Sequence, residues 1–81
     1  MTDVIHSPGI SRFEAGAAYL SYARHGQTFD LQHTVVPEDM GGQGIGGKLV
    51  QAAVDYARDE GLELVVTCPF AKKWLAKHPV G

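Results

Sequence analysis

Three features of this 81-residue chain could do chemistry: a run of glycines ahead of Lys48, a lone cysteine at Cys68, and His33 within a strand-like run. Five of the seven residues from Gly41 to Gly47 are glycine, a composition that serves close backbone approach or positive φ. Beyond them Ile45, Leu49, Ala52, Ala53, Tyr56 and Ala57 recur at helical spacing as far as Gly61, a natural stop after the last turn. The glycines therefore lead into a helix N-terminus. There the first amides lack intrahelical partners and the macrodipole is positive, so a phosphate-like anion can be bound by backbone alone.

Three phosphate-loop signatures compete for GGQGIGGK. The Walker pattern needs Ser or Thr after Gly-Lys, and Lys48 is followed by Leu49. Gly42, Gly44 and Gly47 satisfy GxGxxG, with Glu60 or Glu63 near the acidic position, but a dinucleotide fold needs more strand-helix-strand units than this chain can hold. The third is the pyrophosphate loop of a CoA-binding acetyltransferase, a glycine-rich turn joining a strand to a helix. The plain alternative is a flexible connection with no ligand.

The elements that must position these residues belong to a small protein. Eighty-one residues allow one domain of two layers, which buries only about 60–65% of the surface exposed by the unfolded chain. Seven basic against nine acidic residues, with no basic block, argue against nucleic acid as a partner. The apolar runs are too short to span a bilayer, and MTDVIHSPG has neither region of a signal peptide, so the expectation is a soluble, cytoplasmic chain without a membrane partner. One cysteine cannot form an internal disulfide, and no Cys/His spacing suits a metal.

Along the chain, residues 1–9 read as a flexible arm and 10–81 as the domain. Ile10 to Ala15 and Ala17 to Arg24 make a hairpin about Gly16. In Thr28 to Val36, the residues Phe29, Leu31, His33 and Val35 fall on one face and Asp30, Gln32 and Thr34 on the other, the alternation of a half-buried strand that Pro37 ends. Glu38 and Asp39 are expected in solvent. After the glycine loop and helix, Leu62 to Thr67 reads as a strand covered on both faces, lying parallel to the one ending at Val36. Pro69 opens a final helix, Phe70 to Lys77, with Phe70 and Trp74 on one side. The expected fold is α/β (α+β): a single small mixed sheet, antiparallel at first, then strand, glycine loop, helix, strand, helix. Ligands in such sheets favour the carboxyl ends of adjacent strands, here Val35-Val36 and Thr67-Cys68.

Taken together, His33-Thr34-Val35-Val36-Pro37, GGQGIGGKLV, and Thr67-Cys68-Pro69-Phe70 with Trp74 and His78-Pro79 resemble the GNAT superfamily of N-acetyltransferases, in particular its very small members, bacterial and eukaryotic. The resemblance spans Ser11 to Pro79. It implies an acetyl-CoA site between two parallel strands that splay apart. Backbone groups at Val35 and Val36 would pair with the pantetheine arm. The loop from Gly41 through Gly42, Gln43, Gly44, Ile45, Gly46 and Gly47 would hold the pyrophosphate, with Lys48 beside it. The superfamily writes this loop as Arg or Gln, two residues, Gly, one residue, Gly or Ala. That places Gly41 at the Arg/Gln position, a departure that removes a side chain from phosphate binding. The two helices that ordinarily follow the first strand are missing, which leaves the acceptor pocket open or completed by another chain, a homodimer included. The tyrosine that often serves as general acid has no counterpart in PFAKKWLAKHP.

The small members carry a cysteine at the position of Cys68. A thiol at a strand's end and just ahead of a helix N-terminus has its thiolate favoured; the bland alternative is a buried inert thiol. His33 is the other catalytic candidate, as general base, against its place among apolar residues. Tyr19, Tyr22 and Trp74 read as packing residues. The resemblance implies an acetyl-CoA-dependent N-acetyltransferase acting on a small-molecule or peptide amine, directly or through Cys68. The alternative is a non-catalytic CoA- or acyl-CoA-binding or interaction module.

Overall fold

The computed structural model describes residues 3–40 and 44–78. Strands β1 (Ile5–Ser7), β2 (Arg12–Ala15), β3 (Ala18–His25) and β4 (Thr28–Val35) are followed by helix α1 (Ile45–Asp59), strand β5 (Glu63–Val66) and helix α2 (Pro69–Lys77), with short 3-10 turns at Pro8–Ile10 and Glu38–Met40. The strands form one sheet in chain order, antiparallel from β1 to β4 and parallel between β4 and β5. The mixed α/β architecture is the one expected. Glu38 and Asp39 are exposed.

Alternation decides which face is covered. Phe13 and Ala15, then Ala18, Leu20 and Tyr22, then Phe29 and Leu31 are buried on one side of the sheet. Against them α1 sets Ile45, Leu49, Val50, Ala53, Val54 and Ala57, its apolar stripe, and α2 adds Ala71. The other face carries Tyr19, Ser21 and the exposed Val35 and Val65. The strand at residues 62–67 was expected to be covered on both faces. Instead β5 buries one row only: Leu64 and Val66 pack against the core while Glu63 and Val65 are exposed, because β5 is an edge strand and the helices occupy a single face. The end of α1 is closed by Gly61 at φ 66, whose N–H bonds Arg58 while that of Leu62 bonds Ala57 at 2.8 Å, the paired bonds of a glycine C-cap.

Two further sequence expectations are corrected. The segment expected as a flexible arm, residues 1–9, contains a paired strand: β1 pairs with β2 through Ile5↔Glu14, His6↔Phe13 and Ser7↔Arg12. The reason is aromatic. His6 stacks on Phe13 with centroids 4.3 Å apart, meets Tyr56 edge-on, and has its Nε2 2.6 Å from the Tyr22 hydroxyl. A three-residue strand is too short to show a period.

The second correction concerns β4. Its register on β3 runs Arg24↔Phe29, Ala23↔Asp30, Tyr22↔Leu31 and then skips to Ser21↔His33, Leu20↔Thr34 and Tyr19↔Val35, so Gln32 is an extra residue, a β-bulge. Beyond it the alternation is inverted. Thr34 opposes buried Leu20, whereas His33 and Val35, expected to share a face with Phe29 and Leu31, are exposed.

Burial holds the His6 imidazole below its ordinary value. As pH falls below about 6.5, the ordinary histidine value, the unfolded chain takes up a proton that folded His6 resists, so stability is full above that range and is lost on descending through it. The melting temperature should therefore drop between pH 7 and pH 5 more steeply in the wild type than in His6→Phe, which keeps the stack but cannot titrate. Equal slopes in calorimetry would show that His6 does not couple folding to protons.

Candidate active site

The parallel pairing of β4 with β5 runs from Thr28↔Glu63 to Leu31↔Val66 and stops. At that point the Leu31 carbonyl accepts two N–H groups, from Thr67 and Cys68, each at 2.9 Å. β4 continues to Val35 without a strand partner on this side among the described residues, while the chain after β5 turns through Cys68 into α2. The fork opens onto a cavity of about 550 Å3. Gln32, His33, Thr34 and Val35 form one wall, Cys68, Pro69 and Phe70 another, and Arg12, Tyr19 and Ser21 extend it across β3 to β2.

Cys68 is the N-cap residue of α2, in extended conformation at φ −66 and ψ 122, and is only 3% exposed. Pro69 suits the first helical position because it needs no N–H partner there. The Cys68 thiol lies 3.3 Å from the Thr34 hydroxyl, with either atom able to donate. That contact exists because the bulge turns Thr34 towards the helices. On the neighbouring strand end, the Thr67 hydroxyl donates to Asp30 at 2.8 Å, tying β5 to β4 just before they part.

His33, on the opposite side of β4 from Thr34, lines the same cavity and is exposed, which removes the expectation of a core histidine. It stands beside Ser21, which in turn pairs with Arg12, giving a polar row across three strands. The guanidinium of Arg12 lies 3.9 Å above the ring centroid of Tyr19. Arg12, Ser21 and Thr34 were not singled out from sequence, and Tyr19 was read as packing. The available signal was the alternation Ala18, Leu20, Tyr22, which leaves Tyr19 and Ser21 on the uncovered face.

The residues matched to the glycine loop are differently placed. Gly41, Gly42 and Gln43 lie outside the described residues. Gly44 is the exposed N-cap of α1 at φ 72, a left-handed conformation that suits glycine. Lys48 is exposed on the first turn, Ile45 is buried in the core, and Val36 packs against that core. Gly46 and Gly47 are buried beneath α2: a Cβ on Gly46 would come within 2.6 Å of the Phe70 ring, and one on Gly47 would overlap the Trp74 indole. Their lack of side chains thus serves helix packing. Among the described residues no helix is long and apolar enough to cross a membrane, and no group of three or more His, Cys, Asp or Glu is placed to hold a metal ion.

Comparison with known proteins bears on the family and the fold. The family model of the GCN5-related N-acetyltransferases matches residues 10–80. The proteins called NATD1 of Xenopus tropicalis and Bos taurus are 39% and 41% identical over 54 and 51 residues, which are 67% and 63% of this chain but 50% and 45% of theirs. The chain thus spans about half the length of these relatives. The NMR solution structure of a GCN5-like protein from Staphylococcus aureus superposes with a TM-score of 0.74 at 30% identity, over 93% of this chain and 78% of that one.

The packing of α2 on α1 is open to a direct test. Gly47→Val gains a few tenths of a kcal/mol of helix propensity but must displace Trp74, an overpacking worth about 1–3 kcal/mol. Urea unfolding should show a net loss, and the loss should shrink when the same change is made in Trp74→Ala. An equal loss in both backgrounds would mean that the indole is not what Gly47 accommodates.

Proposed function

The chain belongs to the GCN5-related N-acetyltransferase family, and from that premise we propose that it is an acetyl-CoA-dependent N-acetyltransferase that acts on a primary amine and first takes the acetyl group onto Cys68. One observation carries the reading: the only thiol of the chain stands where β5 leaves β4 and lines the cavity of that fork.

The residues present suit the cofactor. The backbone of β4 from Gln32 to Val35 has no strand partner on the fork side among the described residues and can bond the amides of a pantetheine arm. At the start of α1 the amides after Gly44 precede the first intrahelical bond, Lys48 to Gly44 at 3.1 Å, and suit a pyrophosphate. Bound acetyl-CoA supplies an activated acetyl thioester. Cys68 forms a bond from Sγ to the acetyl carbon as the bond from that carbon to the CoA sulfur breaks, and the Cys68 proton leaves with the CoA thiol. The Thr34 hydroxyl, in hydrogen-bond contact with Sγ, orients it. The acceptor amine then attacks the acyl carbon, the amide C–N bond forms, the carbon–Sγ bond breaks, and one amine proton returns to Sγ through water.

The second function, a CoA- or acyl-CoA-binding module without turnover, is favoured by the 3% exposure of Cys68 and by the absence of a cationic side chain at Gly41. Intact-mass measurement after acetyl-CoA exposure separates the two. The transferase should gain one acetyl group on Cys68, removable by hydroxylamine. Cys68→Ser should lose turnover yet keep its thermal stabilisation by CoA, about 2.7 kcal/mol at a hundredfold excess over Kd. Full activity in Cys68→Ala would reject the thiol as nucleophile and leave direct transfer, with His33 as base. A melt insensitive to millimolar CoA would overturn both functions.

A further inference from the structure

The wall of the cavity farthest from Cys68 has chemistry that the acetyl group does not use. Arg12, Ser21 and His33 stand in register on three adjacent strands, roughly two strand spacings or about 10 Å from first to last. None of the cavity-lining residues is acidic. Arg12 is a partly buried residue, and no carboxylate among the described residues lies within ion-pairing distance of it. The acids on neighbouring positions are engaged elsewhere: Glu14 accepts a hydrogen bond from the Ser7 hydroxyl at 2.6 Å, and Asp30 accepts one from Thr67.

A guanidinium without a carboxylate partner keeps its forked donors open to one. Tyr19 contacts the guanidinium through its ring face, and the guanidinium N–H groups remain available to a planar anion. An acceptor bearing only an ammonium group would meet a positive charge here and no carboxylate. An acceptor that also carries a carboxylate would complete the ion pair that Arg12 lacks, with Ser21 offering a further hydroxyl.

We propose that the cavity selects amino acids, amines that carry a carboxylate on the same small molecule, and that Arg12 holds the carboxylate. This rests on the transferase reading of the Cys68 fork, and its test keeps the two separable. Initial rates with acetyl-CoA are compared for glycine, 4-aminobutyrate and 6-aminohexanoate against ethylamine, butylamine and hexylamine. In parallel, the Tyr19 ring resonances are followed by NMR as 4-aminobutyrate or butylamine is added without acetyl-CoA.

A charge-assisted Arg–carboxylate bond should favour at least one amino acid over its matched alkylamine by roughly ten- to hundredfold in kcat/KM. Arg12→Gln should bring that ratio close to one and abolish the saturable Tyr19 shift with 4-aminobutyrate. Should Arg12→Gln not fold, Arg12→Lys carries the comparison, with the ratio reduced severalfold through loss of the fork. Transfer with equal kcat/KM for both series, or a preference unchanged by the substitution, would overturn the carboxylate site and leave the transferase standing. A selective Tyr19 shift lost in the variant, but no transfer to any amine, would leave the carboxylate site standing and remove the transferase. Neither transfer nor a selective shift would remove both.

Discussion

The Leu31 carbonyl is the point on which the arrangement depends. A parallel ladder normally gives each acceptor one donor, whereas this oxygen takes the N–H groups of Thr67 and Cys68 together. Two successive donors converging on one acceptor cannot both continue a strand, so β5 ends there and the chain turns into α2. The bond to Cys68 fixes that residue's backbone at the apex of the fork, in the extended conformation required ahead of Pro69. Placement of the thiol, loss of pairing along the end of β4 and the opening of the cavity follow from one doubly used oxygen.

What holds α2 in place is equally local. With both helices on the same side of the sheet, α2 has little of the core to itself: Ala71 and the N-cap Cys68 are its fully buried contacts. Phe70 and Trp74 extend its anchorage by lying over Gly46 and Gly47. The start of α1, where an anion would be held, and the start of α2, where the thiol is held, are therefore braced against each other. At the opposite end, His6, Phe13, Tyr22, Phe29 and Tyr56 form an aromatic cluster that ties the first strand and α1 to the sheet.

Much of this was legible in the sequence because it depends on period and punctuation. The hairpin about Gly16, α1 between the glycines and Gly61, and α2 after Pro69 are written as alternation, helical spacing and breakers. The fork could be located from the strand ends, and Cys68 with it. The facing of β4 could not be read. A bulge at Gln32 has no signature in TFDLQHTV, since it arises from pairing with β3, and every residue after it reverses sides; unbroken alternation therefore put His33 and Val35 in the core and Thr34 outside. Arg12 and Ser21 were hidden for a related reason, being separate positions on different strands that only the sheet brings into a row. Gly46 and Gly47 show the converse, residues read as a phosphate loop whose smallness is used by neighbours some 25 positions along the chain.

The contact between Trp74 and Gly47 has a spectroscopic consequence. Trp74 is the single tryptophan of the chain, half-buried, with its indole nitrogen edge towards α1 and its ring stacked on His78 at 4.4 Å. The intrinsic tryptophan emission of the whole protein is thus the emission of one joint, the place where α2 meets the first turn of α1. Any process that loosens this joint, fraying of α2 included, registers in that emission without a label, while events confined to the β1 end of the sheet leave it unchanged.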